Sequence, residues 1–128
     1  LAADNHRCGY CRSSELLSGI PLSLDHITPV VAGGGNVFAN LCSACRPCNE
    51  HKNKRRFALD PISGEEVALF NPRFEKWADH FLWSEDGTQI EGLTANGRAT
   101  ISALKLNNSL IVKARARWVI AGWHPPND

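Results

Sequence analysis

Apolar and polar residues alternate over short stretches in the first third of the chain. Residues 20–24, Ile-Pro-Leu-Ser-Leu, follow this pattern and predict a strand that ends at Asp25-His26. We interpret the segment 5–14 as the end of a short helix that leads into a cysteine pair. After a glycine-rich loop, residues 37–42 predict a second extended segment.

Helical patterns follow at three places. A basic helix is expected to begin at Asn49, which is a favourable capping residue, and to run to about Arg56. Residues 94–106 place apolar side chains at helical spacing. Residues 109–121 alternate in part like a strand, but their Ala and Arg content and the stop at Gly122 favour a helix.

Turn residues divide the middle of the chain. They predict turns at 60–64 and 71–72, and residues 81–93 predict a β-hairpin. A chain of 128 residues is long enough for one domain, or for one small domain with an appended lobe. We expect a core at 1–57 and, packed on it, an extension at 58–128 made of a hairpin and two helices.

Composition excludes several classes of protein. Hydrophobic residues make up 43% of the chain and charged residues 21%, as in an ordinary globular protein. No apolar run approaches the roughly 18 residues that span a membrane, and the N-terminus lacks a signal-peptide pattern. We therefore expect a cytoplasmic protein. Because the sequence begins with Leu1, we expect a trimmed form, a processed form or a fragment.

Charge is segregated along the chain although the net charge is only +1. Residues 1–57 carry a balance of +3, residues 58–91 carry −6 and residues 92–128 carry +4. Two positive surfaces could therefore face a polyanion such as nucleic acid, although solvated faces give the same pattern. The densest group of cations is Lys52, Lys54, Arg55 and Arg56.

Five cysteines lie in the first 48 residues. Four of them form two pairs of equal spacing, Cys8-x-x-Cys11 and Cys45-x-x-Cys48. Two such turns complete a tetrahedron around Zn²⁺, with zinc–sulfur distances of about 2.3 Å, so we predict a structural zinc site. Cys42 is expected to be a small buried residue, with an exchange of ligand as the alternative.

Disulfides and a thioredoxin-like motif explain the cysteines less well. The cysteine count is odd and no secretion signal is present, whereas disulfides suit secreted chains. A thioredoxin-like motif needs one C-x-x-C beside a βαβ pattern, which is absent. The two pairs are separated by 33 residues, so we expect a functional insert between them.

The insert between the cysteine pairs holds the candidate chemistry. Asp25 and His26 are neighbours at a strand end, so their side chains point to opposite faces, one towards a cation and the other towards a water molecule. Asn40 follows within the insert, and Asn49 lies at the expected start of the basic helix. Each residue alone is explained by a surface pair or a cap, but together they favour catalysis.

Together these motifs resemble the HNH endonucleases of the ββα-metal superfamily. The resemblance covers residues 8–52 and rests on the paired cysteines, Leu24-Asp25-His26-Ile27-x-Pro29, Gly33-Gly34, Asn40-Leu41 and Cys48-Asn49-x-x-Lys52. The third family letter is Asn here, so the variant is HNN-like. The remainder resembles the C-terminal extension of small stand-alone bacterial HNH proteins, including cyanobacterial ones. The resemblance implies an α+β fold, with a zinc-stapled ββα-metal core and a C-terminal lobe of a hairpin and helices.

The resemblance also implies a role for each residue of the insert. His26 would be the general base that takes a proton from the attacking water. Asn40 would hold His26 in its productive orientation through hydrogen bonds within the loop. Asp25 and Asn49 would bind one divalent cation at the scissile phosphate, and oxygen ligands suit Mg²⁺ or Mn²⁺.

Residues around this centre are assigned more loosely. Asn53 would share a helix face with Asn49 and serve as a further ligand or as a residue that orients the ligands. His51 lies about 200° round the helix and is a candidate phosphate contact. The cations expected to contact the DNA backbone, without reading sequence, are Lys52, Lys54, Arg55 and Arg56. For a second basic group DNA contact is the less favoured alternative to a solvated face: Lys113, Arg115 and Arg117. The four tryptophans, Trp77, Trp83, Trp118 and Trp123, are expected to pack in the core or between lobes.

The sequence therefore predicts a metal-dependent endonuclease that hydrolyses DNA phosphodiester bonds and nicks one strand per active site. Structural Zn²⁺ and catalytic Mg²⁺ or Mn²⁺ are the expected cofactors, and DNA is the expected partner, with monomer and homodimer both open. One alternative is a non-catalytic zinc module that binds nucleic acid or protein. Another is the same chemistry inside a larger system, such as restriction, homing, phage packaging or a toxin.

Overall fold

The chain folds into short antiparallel strand pairs and five α-helices, as described for residues 4–126 by a computed structural model. The elements in chain order are α1 (Glu15–Ser18), β1 (Ser23–His26), β2 (Leu41–Ala44), α2 (Arg46–Lys52), β3 (Phe57–Leu59), β4 (Glu66–Ala68), α3 (Trp77–His80), β5 (Phe81–Trp83), β6 (Ile90–Gly92), α4 (Ala95–Leu104) and α5 (Ser109–Ile120). The α+β class predicted from the sequence is confirmed.

Strands β1 and β2 with helix α2 form the ββα unit that the resemblance implies. The strands pair antiparallel, with Asp25 opposite Cys42 and His26 opposite Leu41. The connection between them contains two short 3₁₀ turns. A single residue, Cys45, separates β2 from α2 and caps the helix.

The segment 5–14 is not the end of a helix, so that prediction is wrong. It forms turns closed by one antiparallel bridge between Arg7 and Ser14. Three of its residues have left-handed backbone angles, which an α-helix does not tolerate. They are Asn5, His6 and Arg12.

Helix α2 begins and ends earlier than the sequence predicts. It starts at Arg46, because Pro47 is well suited to the first helical turn, and Asn49 is therefore a mid-helix residue, not a cap. It ends at Lys52, because Asn53 adopts a φ of 55°. The basic segment 54–56 consequently lies outside the helix.

The second half of the chain follows the sequence prediction more closely. The predicted hairpin is β5–β6, and the two predicted helices are α4 and α5. Side chains of Thr94 and Asn108 accept hydrogen bonds from backbone N–H groups in the first turn of these helices. The hairpin β3–β4 was not predicted, because each of its strands has only three residues and is largely exposed.

Buried side chains from both halves of the chain share one cluster, and α2 packs against α4. Trp77 lies over Phe81 and Trp83, with ring centroids 5.1 and 5.2 Å apart, and donates its Nε1–H to the Tyr10 carbonyl at 2.8 Å. This confirms the packing role predicted for Trp77. None of the described helices is long and apolar enough to cross a membrane.

Arg115 belongs to this interior and not to a DNA-binding surface. It is buried, and its guanidinium donates to the carbonyls of Thr88 and Leu106 at 2.9 and 2.7 Å. Its Cζ lies 5.3 Å from the ring centroid of Trp83. The prediction of a phosphate contact at Arg115 is therefore corrected, because the guanidinium satisfies backbone carbonyls inside the fold.

Candidate metal centre and active site

The four paired cysteines converge on one point. Their Sγ atoms all lie within 4.8 Å of one another, and those of Cys11 and Cys45 are 3.6 Å apart. Four sulfurs around a tetrahedral Zn²⁺ are about 3.8 Å apart, so the cluster has the size and the donors that zinc requires. Among the described residues this is the group suited to hold a metal through His, Cys, Asp or Glu.

Local structure brings each pair of thiols to the cluster. The first turn is closed by Cys8 N–H, which donates to the Ser13 carbonyl at 2.9 Å, and by Arg12 N–H, which donates to the Cys8 carbonyl at 3.0 Å. In the second pair, Cys45 caps α2 and Cys48 lies in its first turn. The positive end of the helix dipole therefore favours the thiolate forms that zinc binds.

The thiols shift one another's acidity. Burial raises the pKa of Cys8 well above its ordinary value, and hydrogen bonding, first with Cys11, does the same to the pKa of Cys48. Hydrogen bonds from the other three thiols, first from Cys45, hold the pKa of Cys11 well below its ordinary value. The cluster by itself thus favours the thiolate of Cys11 over those of Cys8 and Cys48, and Zn²⁺ would displace the protons that remain.

Cys42 does not join the cluster, as expected from the sequence. It is buried on β2 with its Sγ 3.9 Å from Asp25 Oδ2. Burial, reinforced by the negative charge of Asp25, raises the pKa of Cys42 to about 12. The side chain therefore packs as a neutral thiol.

Asp25 lies on β1 with its side chain buried in an ion pair. Its side chain is 5% exposed, and Oδ2 accepts a hydrogen bond from the Tyr10 hydroxyl at 2.8 Å. Lys52 Nζ lies 3.1 Å from Oδ2 and donates a hydrogen bond to Oδ1 at 3.4 Å. Lys52 Nζ also donates to the His26 carbonyl at 3.1 Å. Because Lys52 is only 1% exposed, it links α2 to β1 and is not one of the exposed cations that the sequence predicted to contact the DNA backbone.

Two oxygen donors suggested by the sequence, Asp25 and Asn49, belong to the elements that form this pair. Asp25 and Asn49 supply carboxylate and amide oxygens, which Mg²⁺ and Mn²⁺ prefer. Asn49 and Lys52 are three residues apart on α2, so both lie on the helix face that meets β1. The ammonium of Lys52 already places a positive charge against Asp25, and a divalent cation there would compete with it.

His26 points to the other face of β1 and contacts a residue that the sequence analysis missed. Its Nε2 lies 2.5 Å from Oδ1 of Asn36 in the glycine-rich loop. An amide oxygen only accepts hydrogen bonds, so Nε2 carries the proton and Nδ1 keeps its lone pair. The side chain is half-buried, and its Nδ1 is thus available to take a proton.

Asn40 organises the loop without touching the imidazole. Its Oδ1 accepts from Thr28 N–H at 2.8 Å, and its Nδ2 donates to the carbonyls of Thr28 and Gly35, both at 3.0 Å. Gly34 lies under this bridge, where a Cβ atom would come within 1.7 Å of the Thr28 carbonyl oxygen. Asn40 therefore joins both ends of the loop that carries Asn36.

The residues after Asn49 lie differently from the prediction. His51 is half-buried with Nδ1 3.0 Å from the Leu104 carbonyl oxygen, so it fixes α2 to α4. Arg55 donates to the carbonyls of His51 and Ala103.

Asn53 has left the helix and does not share a face with Asn49, so it is not a further ligand on that face. The exposed cations that remain beside the site are Lys54, Arg55 and Arg56.

Comparison with known families agrees with this arrangement. Residues 8–55 match the HNH endonuclease family. The matched segment contains both cysteine pairs together with Asp25, His26, Asn40 and Asn49. No curated protein and no solved structure gives a significant match. The chain therefore carries an HNH endonuclease domain, at residues 8–55, with a cluster of four cysteines suited to zinc.

Proposed function

We propose that this protein is a metal-dependent endonuclease that hydrolyses DNA phosphodiester bonds and nicks one strand per active site. The observation that carries the proposal is the imidazole of His26, whose Nε2 is held by Asn36 while Nδ1 stays available. The HNH endonuclease match over residues 8–55 supports a nuclease activity in general.

In the proposed reaction His26 acts as the general base. Nδ1 takes a proton from a water molecule, and the resulting hydroxide attacks phosphorus as the 3′ oxygen leaves. Asn36 can accept a hydrogen bond from Nε2 both before and after this transfer, so the ring keeps its orientation. The products would carry 5′-phosphate and 3′-hydroxyl ends.

Asp25, Asn49 and Lys52 serve the phosphate side of the site. Mg²⁺ or Mn²⁺ held by Asp25 and Asn49 would stabilise the charge that develops on the phosphate and on the leaving oxygen. Tyr10 and Lys52 orient the Asp25 carboxylate through the hydrogen bonds described above.

Zinc and the exposed cations have supporting roles in the proposal. Zn²⁺ on the four paired cysteines would be structural, because four protein ligands leave no open position for water. Lys54, Arg55 and Arg56 would contact the DNA backbone, which positions the duplex without reading its sequence. We further propose that residues 1–57 form the nuclease core and residues 58–128 an extension that supports it.

The proposal is tested by relaxation of supercoiled plasmid. Purified protein with Mg²⁺ or Mn²⁺ is expected to convert supercoiled DNA into nicked circles, and EDTA is expected to stop the reaction. Nicking that continues in EDTA would contradict the cation at Asp25 and Asn49. Absence of nicking under every metal condition would contradict the nuclease.

A second candidate function is a zinc module that binds nucleic acid without cutting it. The buried ion pair of Asp25 and Lys52 favours this candidate, because it satisfies the carboxylate without any divalent cation. This candidate predicts one zinc per chain and retention of DNA on a filter, with supercoiled plasmid left intact. Plasmid nicking by the wild type that His26→Ala removes would exclude it.

A further inference from the structure

Three of the five phenylalanines lie on the surface near the proposed active site. Phe38, Phe57 and Phe74 are 66%, 49% and 74% exposed, whereas the other two are buried. Contiguous exposed apolar surface is a common mark of a binding site. Phe38 belongs to the loop between Asn36 and Asn40, so the group borders the residues that hold His26.

Two of these rings line a cavity of about 330 Å³ beside the catalytic loop. Phe57 and Phe74 form part of its wall, together with the buried side chains of Leu69 and Phe70. Ile27 and Thr28 also line the cavity. Because these two residues follow His26 directly, the cavity lies next to the proposed general base.

The edge of the cavity is positively charged. Arg56 lines it, with its guanidinium Cζ 5.6 Å from the ring centroid of Phe57. The guanidinium Cζ of Arg73 lies 4.1 Å from the ring centroid of Phe38, but this side chain is only 11% exposed and is ion-paired with Asp4. The edge of the cavity thus combines exposed aromatic rings with the exposed guanidinium of Arg56, a pattern that suits a nucleic acid strand.

One acidic side chain, Glu75, also lines the cavity. Its Oε1 accepts a hydrogen bond from Asn71 N–H at 2.8 Å, and its Oε2 lies 3.0 Å from His80 Nε2. These contacts hold the carboxylate against its own turn and offset part of its charge. Lys52 also lines the cavity, but its ammonium is paired with Asp25. The apolar wall and Arg56 therefore determine what the cavity favours.

We infer that this cavity binds one unpaired nucleobase of the DNA strand beside the scissile phosphate. The inference rests on the proposed function and gives it a substrate class, DNA with an unpaired nucleotide near the cut. A base has flat apolar faces that stack on phenylalanine, and its phosphate lies within reach of a neighbouring arginine. Inside a continuous duplex those faces are covered by adjacent bases, so a base must first leave the stack.

Binding is tested in the His26→Ala background, where cleavage does not interfere. Fluorescence anisotropy with Mg²⁺ compares a labelled single strand with the duplex of the same sequence. The single strand is expected to bind more tightly, and Phe57→Ala or Phe74→Ala to weaken its binding about 5- to 100-fold. Leu59→Ala is the matched control, because Leu59 is exposed on the same strand, β3, and does not line the cavity.

The controls keep stability, base binding and cleavage apart. Phe57→Trp should retain tight binding, and all variants should melt at the wild-type temperature because the substituted rings are exposed. Equal binding of single strand and duplex, or equal effects of Phe57→Ala and Leu59→Ala, would overturn the inference. Tighter binding of the matched RNA strand would also overturn it, since the cavity is assigned to DNA.

Plasmid relaxation separates this inference from the proposed function. It is measured in parallel on the same variants with His26 retained. If the wild type nicks plasmid but binds DNA without a preference for unpaired bases, the inference about the cavity is overturned and the proposed nuclease activity stands. A preference for unpaired bases that depends on Phe57 and Phe74, without any nicking, supports the cavity and contradicts the nuclease.

Discussion

At the residue scale, the candidate base depends on a contact that no sequence motif indicates. His26 and Asn40 follow from the sequence, because they belong to a spaced pattern that resembles a known family. Asn36 stands in a glycine-rich loop, where asparagine is an ordinary turn residue, and the structure alone places its amide at 2.5 Å from His26. Its sequence signal is indistinguishable from that of a turn.

Replacement of Asn36 by alanine should slow cleavage without weakening the fold. The amide oxygen holds Nε2 of His26, and the loss of one such hydrogen bond corresponds to about a tenfold lower rate of turnover. Asn36→Asp keeps the acceptor and should retain more activity. Single-turnover cleavage rates test this, and a wild-type rate for Asn36→Ala would contradict the positioning role. Asn36 is exposed, so the melting temperature should not change.

Replacement of Lys52 by methionine should destabilise the protein strongly. It leaves Asp25 buried without its ammonium partner, which costs about 3–5 kcal/mol of unfolding free energy. Addition of Mg²⁺ should restore part of this loss, because a cation at Asp25 replaces the missing charge. Urea unfolding measures both effects.

Lys54→Met is the matched control for this experiment. Lys54 is exposed two residues further along, so its replacement should change stability by no more than about 0.5 kcal/mol. Equal stability of the two variants would show that the buried pair contributes nothing.

At the element scale, local sequence patterns predicted several helices and one hairpin, but they could not predict the contacts between elements. The sequence predicts the turn at 60–64, because Asp-Pro and Gly residues favour it. It does not indicate that Asp60 accepts hydrogen bonds from Arg98 Nε and Nη2, both at 2.9 Å, 38 residues further along. This contact joins the β3–β4 hairpin to α4. The early start of α2 was missed for a related reason, since Asn49 has the composition of a cap while Cys45 takes that position.

The pair of Asp60 and Arg98 should make stability depend on pH. Hydrogen bonds from Arg98, before all other causes, hold the pKa of Asp60 well below its ordinary value of about 3.9. Because the folded pKa is lowered, the stabilisation is complete above the ordinary value and is lost as pH falls towards the folded one. Asp60→Asn should therefore lower the melting temperature at pH 7, by an amount that shrinks below pH 4.

Thermal unfolding between pH 2 and pH 7 tests this dependence. The control is Asp79→Asn, which removes an exposed carboxylate on α3. A constant difference between wild type and Asp60→Asn across the whole range would contradict the assignment.

At the scale of the whole molecule, the thiol cluster belongs to the same buried interior as the second half of the chain. The buried cluster runs from Cys8 and Tyr10 to Phe81 and Leu104. The cysteine spacing predicted the four ligands, because two equal C-x-x-C pairs are typical of a tetrahedral zinc site. How the interior continues beyond residue 57 could not be predicted, since it depends on packing between residues distant in the sequence.

Loss of zinc should therefore unfold the whole chain in one transition. Cys45→Ser removes a ligand from a cluster whose apparent binding energy is on the order of 10 kcal/mol, so helical circular dichroism and bound zinc should disappear together. Cys42→Ala, which lies outside the cluster, should keep one zinc per chain by elemental analysis. A folded, zinc-free and active Cys45→Ser protein would contradict the structural role of the metal.

The central claim is that His26 is the base of a metal-dependent nuclease, and its removal tests that claim most directly. The measurement is the rate of plasmid nicking with Mg²⁺ by wild type and by His26→Ala. Zinc content and melting temperature are verified for both proteins. His6→Ala is the control for loss of an imidazole elsewhere in the chain. We predict a rate about 10²–10⁴ lower for His26→Ala alone. Equal nicking rates for wild type and His26→Ala would contradict the account.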